Sequence, residues 1–143
     1  MRKVKGFSLL ELLIVVAIIL IIATIAIPSL LRSRQVAHET SAAATLKTLN
    51  TAQISYTAIS GGTYGTMPDL IGAALIDSRF TSTLSGYNYT IDMAANLRNY
   101  TIFATAVSAN EGRFDYYTAP DYVIRFSTNS SRAPAGNAGL PVQ

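Results

Sequence analysis

Between Lys5 and Arg32 the chain runs for 26 residues with one charge, Glu11, and that stretch limits what the rest of the chain can build. It reads Gly6-Phe7-Ser8-Leu9-Leu10-Glu11 and continues from Leu12 to Ile27 with only Thr24 departing from aliphatic character. A helix of that length spans roughly 39 Å at about 1.5 Å per residue, enough to cross a hydrocarbon core of about 30 Å. A carboxylate in such a span costs roughly 2.5–3.5 kcal/mol at the bilayer centre and less near its edge. Glu11 therefore calls for a compensating partner.

Of the 143 residues, about a quarter belong to this segment and its basic start, so Gly61 to Gln143 can form only a small core. Arg2, Lys3 and Lys5 account for three of the eleven basic residues. Without them, eight Lys and Arg face eight Asp and Glu, and the balanced charge argues against nucleic acid as a partner. The chain has no cysteine, so a disulfide staple and a lipidated cysteine are both excluded.

Beyond Arg32 and Arg34 the pattern becomes amphipathic. Ala42, Leu46, Leu49, Gln53, Tyr56 and Ile59 recur at spacings of three and four, while His38, Ser41, Thr45, Lys47, Thr48 and Ser55 fall largely elsewhere on the wheel. Gly61-Gly62 predicts the end of this helix. Pro68 opens a short helix through Leu70, Ile71 and Leu75. Four strands follow, at Tyr87–Ile91, Tyr100–Val107, Phe114–Thr118 and Tyr122–Phe126. Each is rich in aromatic and β-branched residues, and the short loops between them suit an antiparallel meander. Ser127 to Gln143 has no periodicity and reads as an irregular tail. The expected class is α+β: a long amino-terminal helix, membrane-spanning in its first half and amphipathic in its second, against a small antiparallel sheet.

A cleaved secretory signal would fit the charged start, with Thr24-Ile25-Ala26 as a small-residue junction. Glu11 interrupts its apolar region, and Pro28 lies just past the proposed cut. A plain signal anchor explains the length and leaves Glu11 without a reason. The flanking charges slightly favour a cytoplasmic amino terminus.

Lys5-Gly6-Phe7-Ser8-Leu9-Leu10-Glu11 before an aliphatic run, with Pro28 later in it, resembles the class III leader of type IV pilins and their pseudopilin relatives. The resemblance covers about residues 1 to 60. It implies cleavage between Gly6 and Phe7 on the cytoplasmic side and N-methylation of Phe7, both by one membrane peptidase and methyltransferase. It also implies assembly into a homopolymer through an inner-membrane platform protein and a cytoplasmic assembly ATPase. Residues 1–6 would then be a cleaved leader, 7–32 the membrane and assembly half of the stem, and 33–60 its amphipathic half. Residues 61–143 would form a head with a loop region, about four antiparallel strands and the irregular tail. Glu11 would pair with the Phe7 amine of a neighbouring subunit, and Pro28 would kink the stem or mark a stretch that extends in the fibre. The precursor would reside in the inner membrane with a single pass, and the product in an extracellular fibre.

No residue pattern points to catalysis, a cofactor or a small-molecule substrate. His38 reads as a solvated residue. Asp115 and Asp121 flank a strand and turn where a calcium ion could sit, and read more simply as turn residues. Asn88, Asn99 and Asn129 each begin an N-glycosylation triplet. The alternatives to a major pilin are the major pseudopilin of a type II secretion system, a minor pilin, and a membrane-anchored enzyme or receptor.

Overall fold

The computed structural model describes residues 6–126 and 139–142. The chain divides into two units, residues 1–34 and 35–143. Helix α1, Leu9–Ile59, contributes to both. Its alanines and leucines favour it, and no glycine interrupts it. It stops where Gly61 and Gly62 adopt φ of 75° and 95°, values that a Cβ would oppose. Hydroxyls along its surface turn back onto its own carbonyls: Thr24 donates to Ile21 O at 2.7 Å, Ser33 to Ser29 O at 3.0 Å and Thr40 to Val36 O at 2.9 Å.

In the first unit, every described residue from Gly6 to Arg34 except Ala23 is exposed. An 18-residue window of α1 has a mean hydropathy of 3.1 and no burial within the chain. It is the one helix among the described residues long and apolar enough to cross a membrane.

In the second unit, the carboxyl-terminal part of α1 packs on a five-stranded antiparallel sheet. Its strands, in spatial and chain order alike, are β1 Tyr87–Met93, β2 Tyr100–Ala106, β3 Tyr116–Thr118, β4 Ile124–Phe126 and β5 Leu140–Pro141. The meander needs no crossover, which keeps each pairing local. Ala42, Leu46 and Leu49 are fully buried with Tyr87, Tyr100, Ile102 and Ala104. Each buried leucine contributes about 1.5–3 kcal/mol relative to exposure.

Two polar pairings set the helix against the remainder of this unit. Gln53 Nε2 donates to Gly65 O at 2.7 Å, and Gly65 N–H donates back to Gln53 Oε1 at 2.9 Å. Asn50 Nδ2 donates to Thr118 Oγ1 at 2.8 Å, and the Tyr100 hydroxyl donates to Asn50 Oδ1 at 3.0 Å. Both amides are buried, so these bonds satisfy groups that would otherwise lose water without replacement.

The differences from the sequence reading are local. A fifth strand, β5, joins the four that the pattern predicts, so part of the expected irregular tail is sheet. Its two residues are too few to show alternation. Ile59, expected on the buried stripe, is 68% exposed, because the packed stripe ends before the terminal turn of α1. The short helix α2 is Met67–Gly72 and does not reach Leu75. Thr66 and Asp69 cap it reciprocally at its start, and Ala74 at φ 54° breaks it off. Leader residues 1–5, the Asn129 triplet and most of the expected tail lie outside the described residues.

Candidate processing and assembly site

Three residues of extended or irregular backbone, Gly6, Phe7 and Ser8, precede α1. Phe7 is 86% exposed. A Cβ built on Gly6 would meet nothing within 4 Å, so the fold itself makes no demand for glycine there. Any need for a small residue at Gly6 arises from a partner.

The side chains of Ser8 and Glu11 both accept backbone amides at the helix start. Glu11 Oε2 accepts from Ser8 N–H at 2.9 Å, Ser8 Oγ accepts from Leu10 N–H at 3.3 Å, and Leu12 N–H bonds Ser8 O at 3.2 Å. Amide donors that have no helical carbonyl therefore find side-chain acceptors. The carboxylate also lies at the positive end of the helix, which stabilises it by roughly 0.3–1 kcal/mol. In the single chain, Glu11 thus has a partner within its own first turn. The sequence signal was available: Ser8 and Glu11 have the Ser-x-x-Glu spacing that precedes an apolar run.

Pro28 lies inside α1, and the helix continues through it. Its missing N–H leaves the Thr24 carbonyl without the usual bond from four residues on.

His38 is not the solvated residue that its place on the wheel suggests. It is half-buried, with Nδ1 2.8 Å from Glu111 Oε2. Asp115 is buried and accepts from Ala106 N–H at 2.9 Å. Asp121 accepts from Val123 N–H at 3.2 Å and pairs with Arg125, whose hydrogen bond holds the Asp121 carboxyl below its ordinary range. Both aspartates thus serve strand and turn geometry. Among the described residues, no three His, Cys, Asp or Glu side chains cluster as a metal site.

Sequence reasoning missed Glu39, a buried carboxylate that takes three donors from Arg113: backbone N–H at 2.8 Å, Nε at 3.1 Å and Nη2 at 2.8 Å. The pair raises the Arg113 pKa above its ordinary value, chiefly through the hydrogen bond to Glu39. The partners are 74 residues apart, and no local pattern links them.

The amino-terminal region, residues 1–27, matches the family model for the prokaryotic N-terminal methylation motif. Over 104 residues, 73% of this chain and 75% of the relative, the sequence is 38% identical to the type IV wide pilus major component PilA4 of Thermus thermophilus. The chain belongs to the type IV pilins. No solved structure matches it. The α+β architecture of this pilin, a long apolar amino-terminal helix with a small antiparallel sheet, is the one expected from the leader resemblance. Pilins are structural subunits, and the apolar helix suits a membrane-anchored precursor that later enters a pilus.

Proposed function

We propose that this pilin is a major subunit of a type IV pilus, cut between Gly6 and Phe7, N-methylated on Phe7 and polymerised with copies of itself. The observation that carries the reading is the apolar helical surface from Leu9 to Leu31, which lies exposed among the described residues and holds one carboxylate. Lipid can cover such a surface before assembly, and identical helices can cover it afterwards. The similarity to a protein named as a major pilus component supports the major-subunit reading.

In this reading residues 1–6 are the leader, 7–32 the membrane and assembly half, 33–60 the amphipathic half and 61–143 the head. The precursor crosses the inner membrane once with its amino terminus in the cytoplasm. A membrane peptidase and methyltransferase processes it, and a platform protein with an assembly ATPase moves it into an extracellular fibre. Glu11 exchanges its bond to Ser8 for the Phe7 amine of a neighbour and so selects one axial register. Pro28 provides a point where the packed helix can extend, because neighbouring chains can supply the partners that lipid cannot. A fibre reconstruction with unbroken helical bonding across residues 20–28 would reduce Pro28 to a kink.

The reading is tested by mass spectrometry of purified fibres, which should give a chain lacking residues 1–6 and carrying one added methyl. A mature terminus near Ile27 would identify an ordinary signal peptide and overturn it.

A further inference from the structure

We infer that Ser8 is a positioning residue for leader removal: as the cap that starts α1 at Leu9, it holds the Gly6–Phe7 bond in non-helical backbone where a peptidase can bind it. The inference rests on the cleavage site proposed above. Its own observations are the two side-chain bonds that close the helix start, the non-helical backbone of residues 6–8 and the exposure of Gly6 and Phe7.

Proteolysis needs backbone that can lie extended in the enzyme, with amides and carbonyls free to bond it. A helix consumes those groups. In lipid the apolar run must stay helical to satisfy its backbone, and a helix continuing toward the amino end would draw residues 6–8 into its first turns. It would do so by bonding the Leu10 and Ser8 amides to carbonyls four residues back. Here both amides are already taken, Leu10 N–H by Ser8 Oγ and Ser8 N–H by Glu11 Oε2. The cap thus favours a boundary two residues beyond the scissile bond. Gly6 assists from the other side, since glycine disfavours helix interiors.

Replacing a Ser cap by Ala weakens the helix boundary enough to change a local equilibrium about fivefold. The experiment follows cleavage of the full-length precursor in membranes that contain the peptidase, comparing wild type with Ser8→Ala, Ser8→Thr, Ser8→Asn and Ser8→Asp. The expected result is an initial cleavage rate about fivefold lower for Ser8→Ala, with Ser8→Asn and Ser8→Asp close to wild type. The rates would then follow capping strength and not the presence of a hydroxyl. Backbone chemical shifts of the uncut chain in micelles should show helix spreading into Phe7 only in Ser8→Ala. If Ser8→Thr alone restored the rate, the peptidase would be reading the hydroxyl and the inference would fall. It would fall equally if Ser8→Ala were cut at the wild-type rate. If wild type itself were not cut at Gly6–Phe7, the proposed processing would be wrong, a result that the comparison of variants cannot mimic.

Discussion

Replacing Arg113 by Ala tests whether a buried carboxylate fixes the register between α1 and the sheet. The Glu39 side chain is 7% exposed, whereas that of Arg113 is 45% exposed. Arg113→Ala removes the Nε and Nη2 donors and keeps the backbone N–H, so the carboxylate stays buried with one of its three Arg113 bonds. Stranding a fully buried ion by removing its partner costs roughly 3–5 kcal/mol. Because the guanidinium is already partly in water, the lower end applies, about 3 kcal/mol. For a unit of this size that lowers the melting temperature by about 12 °C. Adding Glu39→Gln to Arg113→Ala removes the stranded charge and should recover much of the loss. The assay is near-ultraviolet circular dichroism of the detergent-solubilised chain. All eight tyrosines lie between Tyr56 and Tyr122, so the tyrosine band reports the second unit alone. A fall of less than about 4 °C for Arg113→Ala, or a double variant no better than the single, would refute the reasoning.

Glu11→Ala should leave membrane insertion intact, because the span becomes more apolar, and should reduce fibre yield sharply. Wild-type yield by electron microscopy would remove the intersubunit role of the carboxylate. Leu49→Asp places an unpaired charge where exposure is zero, and should abolish the tyrosine melting transition. A retained transition would mean that this face of α1 does not support the sheet. Burial, and then the Glu39 charge, push the Tyr116 phenol up to about 12, and burial raises Tyr87 and Tyr100 as well. The folded state therefore favours protonated phenols. Their stabilisation is complete below pH 10, the ordinary tyrosine value, and is lost as pH rises from 10 through 12. Tyrosinate absorbance should rise together with unfolding in that window. Smooth titration of these phenols without unfolding would contradict it.

The elements legible in the sequence are those specified by neighbours a few residues apart. The apolar run, the Gly61-Gly62 stop and the alternation of Tyr87, Tyr89 and Ile91 all report local geometry, and they placed α1 and the first four strands closely. Glu39 and Asn50 were not legible as interior residues, because a carboxylate and an amide read as a wet face until their partners are known. Those partners, Arg113, Tyr100 and Thr118, lie 50 to 74 residues away. Strand β5 escaped because its pairing with Arg125 and Phe126 leaves no periodic trace in two residues. At the amino terminus, the methylation motif was readable from Gly6, Phe7 and Glu11, and the Ser8-x-x-Glu11 spacing carried the cap signal, which the bonds at the start of the helix locate.

In the proposed assembly, the exposed surface from Leu9 to Leu31 leaves the exchange between bilayer and polymer nearly balanced. Hydrocarbon tails are as apolar as the leucines and isoleucines they surround, so moving this helix from lipid into a bundle of identical helices gains almost nothing from dehydration. The two environments act as competing solvents of nearly equal quality. What remains to tip the partition is the tightness of side-chain interdigitation and the disposition of a single carboxylate, both small beside the area transferred. On that proposal a subunit with this surface has no steep thermodynamic slope in either direction, and modest external work would suffice to move it either way.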